Sequence, residues 1–226
     1  MVVYLAVGDI HGSLAPLSRL LGHLKDFKHP VVFLGDYLDS GEQSSEVIDL
    51  LIAAKQENPH WVFLKGNHEI KALNDLEEFR LKGSFDRTPK KYLASFENDY
   101  SKVPHAHIDF LQSLDLYHET DHLAFVHGGV ENNYQSCREV DERELTCTYD
   151  VTGSVGGRTI VRGHKKVKQP YDDGHLISMD TGCWKQDGFL SAGLISDEPG
   201  RDRRLLAYLK VPNDLDQKTE FRTPPT

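Results

Sequence analysis

Positive charge is what this chain is short of: 26 Lys and Arg stand against 35 Asp and Glu, a formal net charge of −9. That field repels polyanions, so neither nucleic acid nor a membrane surface is an expected general partner, although a local basic patch is compatible with it. Cysteine is scarce too. Three scattered residues, Cys137, Cys147 and Cys183, are too few for a disulfide framework or a zinc cluster, and suit a reducing, cytoplasmic setting. Long apolar runs are missing, and no stretch approaches the length that spans a bilayer. The opening MVVYLAV is seven residues long, has no positive flank and runs into Gly8 and Asp9, so it reads as a strand rather than a signal peptide.

What is present is enough for one sizeable core: 226 residues, 38% hydrophobic and 27% charged. Short apolar runs end repeatedly in polar, glycine-marked corners: VVYLAV into GDIHG, VVFL into GDYLDSG, WVFL into KGNHE, LAFV into HGG, and TIV into RGH. Such runs, rich in Val, Phe and Ile without clean alternation, read as strands covered on both faces of a layered α/β fold. Leu14, Leu17, Leu20, Leu21 and Leu24, then Val47, Ile48, Leu50 and Leu51, recur at helical spacing between the first three runs, giving β-α-β-α-β. Residues 69–100 look helical but polar, with breaks at Gly83 and Pro89, and are expected to form a cap or an excursion beside the strand ends. Residues 107–116 suggest a short helix, and the last third reads as strands of a second, largely antiparallel sheet. The expected organisation is one catalytic domain over residues 1–211 and a mobile tail over 212–226, whose NDLDQKTEFRTPPT has little apolar content.

The corners collect Asp9, His11, Asp36, Asp39, Asn67, His68, His127 and His164. Carboxylate, imidazole and amide oxygen without thiolate suit Mn, Fe or Zn. The inventory is large enough for two divalent ions if one carboxylate is shared, and Asp36 is the natural bridge: Asp9, His11 and Asp36 for one ion, Asp36, Asn67, His127 and His164 for the other. A lone Asp or His at a strand end is usually a turn former or a surface residue; here the corners repeat. The remaining histidines have no such context. His105 and His107, after Pro104, read as ordinary residues of a loop and helix start, Lys90, Lys91, Lys165, Lys166 and Lys168 as solvated surface, with attraction of an anionic substrate by KKVK beside His164 as the alternative, and Trp61 and Trp184 as packing groups rather than stacking platforms.

GDIHG (8–12), GDYLDSG (35–41), GNHE (66–69), HGG (127–129) and RGH (162–164) follow the order and approximate spacing of the phosphoprotein phosphatase family, within the calcineurin-like metallophosphoesterases. The segment from GDYLDSG to GNHE resembles eukaryotic serine/threonine phosphatases, whereas the short length, LAFVHGG and HLISMDTGCW resemble compact bacterial and phage members. The resemblance implies a β-sandwich flanked by helices in four αββα layers, two divalent metal ions, Mn2+ foremost, and direct attack on phosphorus by a hydroxide bridging them, without a phosphoenzyme. It also implies that His68 protonates or stabilises the leaving oxygen and that Asp39 orients His68. The family's usual GDxxDRG has Ser40 where Arg stands, removing a charged phosphate clamp. Arg143, in DERELT, matches the family's second phosphate-binding arginine, with Arg138 as runner-up; Arg162, Arg158 and the amide of Asn67 are further phosphate-binding candidates.

The activity implied first is hydrolysis of phosphoserine or phosphothreonine in proteins or peptides. Hydrolysis of diadenosine tetraphosphate or a related nucleotide is the second, because symmetrical nucleosyl-tetraphosphatases share the metal motifs and an ending like MDTGC. A third is a catalytically weakened metal-binding interaction protein that has lost its clamp at Ser40.

Overall fold

The computed structural model describes residues 2–83, 91–97, 99–214 and 216–224. The chain runs β1 (Val3–Val7), α1 (Leu14–Leu24), β2 (Val31–Phe33), α2 (Ser44–Glu57), β3 (Val62–Phe63), α3 (Asn67–Lys82), α4 (Lys91–Ala94) and α5 (His105–Gln112). It continues through β4 (Tyr117–Glu119), β5 (Leu123–Val126), β6 (Asn133–Tyr134), α6 (Glu142–Cys147), β7 (Ser154–Val155), β8 (Thr159–Arg162), β9 (Tyr171–Asp172), β10 (Leu176–Ser178), β11 (Phe189–Ser196), β12 (Leu205–Pro212) and β13 (Glu220–Arg222).

The alternating faces of β1 explain how these elements layer. Leu5 and Val7 point into a core shared with Leu17 and Leu20 of α1, Val47, Ile48 and Leu51 of α2, and Phe110 and Leu111 of α5. Ala6, on the opposite face, joins Val32 and Leu34 against Phe125, Val161 and Ile177 of another sheet. The result is two stacked sheets, ordered β13-β12-β11-β1-β2-β3 and β4-β5-β8-β10-β9, with helices α1 to α5 on the outside of the first. The outer face of the second, with Ala124, Val126 and Ile160, is covered by Val140, Leu145 of α6 and Val155 of the β6–β7 ribbon. Two sheets flanked by helices are the calcineurin-like architecture that the motifs implied.

Two details differ from the sequence expectation. The strand in HLISMDTG, β10, lies parallel to β8 in the second sheet, while β11 and β12 pair antiparallel and join β1 in the first sheet. The segment beyond Pro212, expected to hang free, pairs β13 with β12 and is anchored by Arg19, which donates to the carbonyls of Pro212, Asp214 and Gln217. Helix α3 ends as expected at Gly83, with φ +68, and Pro89 and Lys90 lie outside the described residues. Among the described residues no helix is long and apolar enough to cross a membrane.

Candidate metal centre

The ends of β1, β2 and β3 from one sheet and of β5 and β8 from the other meet at one edge of the sandwich. Asp9 and His11 follow β1, Asp36 and Asp39 follow β2, Asn67 and His68 open α3, His127 follows β5, and His164 follows β8. The backbone is bent hard to bring them there. Six non-glycine residues among those described have positive φ, and five of them are His11, Asp36, Asp39, Ser40 and His164. Left-handed conformations are costly for β-carbon-bearing residues and concentrate where function demands them. Glycine supplies the remaining room: a Cβ on Gly163 would stand 2.0 Å from Asp9 Oδ1, and one on Gly66 2.2 Å from Asp36 Oδ1.

Asp36 is the hub. Its Oδ2 lies 3.3 Å from His127 Nε2, 3.5 Å from His11 Nε2 and 3.9 Å from His68 Nε2. Two sets of ligand atoms, each within 4.8 Å of one another, share it: His11, Asp36 and His68, and Asp36, His127 and His164. Asp9 closes the first side, with Oδ2 4.0 Å from His11 Nε2 and both oxygens accepting from the His164 backbone N–H.

Hydrogen bonds fix the imidazoles so that their free nitrogens face this hub. His11 Nδ1 lies 2.7 Å from the Leu38 carbonyl and His127 Nδ1 2.8 Å from that of Leu34, so both Nδ1 atoms carry protons and both Nε2 atoms are turned toward Asp36. The Asn67 amide oxygen faces His164 Nδ1 at 3.0 Å, His127 Nε2 at 3.2 Å and Asp36 Oδ2 at 3.3 Å. The opposite amide orientation would instead donate to all three and accept from Lys71 Nζ at 2.7 Å. Imidazole nitrogens, an amide oxygen and two carboxylates converge on one volume, a donor set that fits divalent cations.

Titration behaviour carries the same message. Burial acts to raise Asp36, but His127, His11 and His68 override it and hold its carboxyl well below the usual range. Burial likewise opposes charge on His127, yet Asp36, Asp9 and Glu69 push that imidazole up to about 10. Asp9 is pushed well above the usual carboxylate range, by burial first and then by the neighbouring Asp180. Burial, with His127 beside it, lowers His164 to about 4, so it stands neutral at physiological pH with a lone pair to offer.

A calcineurin-like phosphoesterase family model matches residues 2–177. The chain belongs to that family. Among curated relatives, the asymmetrical bis(5'-nucleosyl)-tetraphosphatase PrpE of Anoxybacillus flavithermus is 24% identical over 212 residues, covering 80% of this chain and 86% of the relative. The protein of the same description from Oceanobacillus iheyensis is 25% identical over 207 residues, covering 78% and 82%. In solved structures the same fold occurs in a serine/threonine phosphatase from Saccharomyces cerevisiae with similarity to human phosphatase PP5. It superposes with a TM-score of 0.58 at 16% identity over 100% of this chain and 81% of that one. A cold-active protein tyrosine phosphatase superposes with a TM-score of 0.63 at 15% identity, over 98% and 78%.

In this calcineurin-like phosphoesterase, His68 stands apart from the other imidazoles. Its Nδ1 is 2.8 Å from Asp39 Oδ2, and its side chain keeps 18% exposure. Burial acts against the imidazolium, but the Asp39 hydrogen bond and the Asp36, Asp39 and Glu69 charges outweigh it and leave the His68 pKa raised. Asp39 is held in turn by the Tyr92 N–H on α4.

The arginines are arranged differently from the phosphate-binding expectation. Arg162 is 1% exposed; its Nη1 donates to the carbonyls of Gly128, Thr148 and Tyr149, and its Nε to Ser178 Oγ. Its Nε and Nη1 tie β8 to the loops beside His127 and His164 and so brace the frame of the site. Arg158 is likewise engaged, with the carbonyls of Thr120 and Gln135. Arg143 is exposed on α6 and shares a surface hollow with Glu131, Asp141 and Glu144, a carboxylate-rich setting. At Ser40 the carbonyl accepts from Lys91 Nζ, which also pairs with Glu42. His107 is an internal strut: it bonds Asp49 on α2 and Tyr92 on α4.

Two carboxylates matter more than the sequence reading allowed. Glu69, fully buried, accepts from the N–H groups of Asp36, Tyr37, Leu38 and Gly66, clamping the loop that carries the hub. Its position three residues into a helix that follows Gly66, where a Glu reaches back to the N-cap N–H, is a signal that could have flagged it. Asp180, 1% exposed, lies behind Asp9 with Oδ2 unpartnered, and burial raises its pKa to about 6. LISMDTG, an apolar run ending in Asp and Gly, carries the same signal as the other corners.

Proposed function

We propose that this protein is a metal-dependent phosphoester hydrolase with two metal positions sharing Asp36, and that its substrate class is nucleoside polyphosphates such as diadenosine tetraphosphate. The observation that carries the hydrolase reading is Asp36 Oδ2, within 3.9 Å of imidazole nitrogens from three different segments. Asp9, His11 and Asp36 would hold one cation, and Asp36, Asn67, His127 and His164 the other. Divalent cations there supply Lewis acidity at phosphorus and lower the pKa of attacking water.

The chain's own residues do the rest. The carbonyls of Leu38 and Leu34 keep His11 and His127 in the tautomer that turns Nε2 inward. Asp39 takes the Nδ1 proton of His68 in a hydrogen bond, so that Nε2 carries the transferable proton, which goes to the leaving oxygen as the P–O bond breaks. The raised pKa keeps that proton available near neutral pH. No cysteine, serine or other nucleophile from the chain is needed.

The nucleotide reading is supported by the two tetraphosphatase relatives and by Ser40 in place of a clamp for a compact phosphate monoester. Serine/threonine phosphatase activity is the second reading, favoured by the motif order and by the shared fold of the yeast serine/threonine phosphatase. The test is hydrolysis of diadenosine tetraphosphate, a phosphothreonine peptide and p-nitrophenyl phosphate by metal-stripped protein with Mn2+ restored, alongside Asp36→Asn and His68→Asn. Preferred turnover of the dinucleotide, lost in both variants, is expected. Preferred turnover of the peptide would move the substrate to phosphoproteins, and silence on all three would refute hydrolysis.

A further inference from the structure

Beside His11 the chain builds a basic feature that the chemistry above does not use. The Trp184 ring packs edge-on against His11, with centroids 4.2 Å apart and planes at 76°. Lys166 Nζ lies over that indole, 5.4 Å from its centroid. The aliphatic stem of Lys166 and that of Lys185 converge above Gly182: a Cβ there would meet Lys185 Cδ at 3.5 Å and Lys166 Cδ at 3.6 Å. The two ammonium groups are close enough that Lys166 depresses the pKa of Lys185.

Two like charges side by side repel, and neighbouring carboxylates normally relieve them. Lys165, one residue away, shows the ordinary solution: it pairs with Asp150 and covers the Tyr149 ring. Among the described residues, neither Lys166 nor Lys185 has a carboxylate within ion-pair distance. Asp180, beneath them, is buried, and its Oδ1 accepts the Gly182 N–H. The backbone that carries the pair is held in place. The Val167 N–H donates to the Asp180 carbonyl, the Lys185 N–H to that of Gly182, and the Gly188 N–H to that of Lys185. A chain with formal charge −9 has thus set two adjacent cations side by side with only the charge of the buried Asp180 to offset them, one indole ring from a metal-ligand histidine.

We infer that Lys166 and Lys185, backed by Trp184, form a second phosphate subsite that takes the phosphates of a polyphosphate chain beyond the one being cleaved. An oligophosphate presents several anionic oxygens along a short flexible chain, so one end can lie on the metal centre while the next groups accept charged hydrogen bonds from both lysines. A phosphate monoester has nothing to place there. This deepens the nucleotide reading and rests on it for the identity of the substrate. It gives Lys166 the anion-attracting role that its place in KKVK beside His164 offered as the alternative to solvated surface, and Trp184 remains a packing group, set against His11.

The experiment is calorimetric titration of metal-stripped protein with inorganic tripolyphosphate and with orthophosphate, for the wild type, Lys166→Ala/Lys185→Ala and Lys166→Arg/Lys185→Arg, with KM and kcat for diadenosine tetraphosphate measured on the metal-loaded proteins. The double alanine variant should bind tripolyphosphate about tenfold or more weakly, with orthophosphate affected less, and should raise KM by a similar factor with kcat little changed. The double arginine variant should retain both properties. Unchanged tripolyphosphate binding, or an equal loss for orthophosphate, would overturn the subsite. Impaired turnover of an acidic phosphothreonine peptide with tripolyphosphate binding intact would overturn it too. If the wild type hydrolyses nothing while tripolyphosphate binding still falls in the alanine variant, the subsite stands and the hydrolase reading fails.

Discussion

Asp39 and His68 form the pair on which the acid chemistry turns. With His68 Nδ1 2.8 Å from the Asp39 carboxylate, replacement by Asn removes the charge but keeps an acceptor of similar shape. Asp39 acts to raise the His68 pKa, so Asp39→Asn should lower it. If His68 gives up its proton in the reaction, the alkaline limb of the kcat profile moves to lower pH and the plateau falls, by about tenfold or more. A pH profile of p-nitrophenyl phosphate hydrolysis reads both effects, and an unmoved alkaline limb would remove His68 from the acid role. The cysteines give an independent check of burial. Burial pushes the Cys183 thiol up to about 12, and burial followed by Glu119 pushes Cys137 above the usual thiol range, whereas Cys147 is exposed. Thiolate is the reactive form, so a thiol-exchange reagent at pH 8 should label Cys147 alone until the protein is unfolded.

Helix α3 joins local helix chemistry to the hub. Its first turn carries Asn67 and His68, while Glu69 receives four backbone N–H groups, three of them from residues 36–38. Glu69→Ala leaves those buried donors without their acceptor and should cost about 3–5 kcal/mol along with most of the activity. Glu69→Gln, which keeps one carbonyl oxygen, should cost less; chemical denaturation measures the difference. The sequence made the corners legible because each pairs a run of strand-forming residues with glycine and ligand types, and that pattern is local. What it left hidden depends on remote segments. Arg162 looks like a phosphate ligand in RGH, but its carbonyl partners come from residues 128, 148 and 149. The pairing of β11 with β1 joins residues nearly the whole chain apart, and nothing in FLSAGLIS names its neighbour. Trp184 follows DTGC with no hint that the loop folds back onto His11.

At the scale of the whole molecule, the candidate ligands come from strand ends of both sheets, between Asp9 and His164 in the chain. The native fold alone assembles them, so cations that bind there stabilise the folded state by linkage, and divalent metal should raise the midpoint of thermal unfolding. Asp36 contributes to both ligand sets. The most direct measurement is therefore the metal stoichiometry of the stripped protein, titrated with Mn2+ and followed by calorimetry, for the wild type and Asp36→Asn. Two ions bound by the wild type, with both sites weakened together by the single substitution, is the expected result. One ion or none in the wild type, or two ions still held tightly by Asp36→Asn, would contradict a centre built around a shared Asp36.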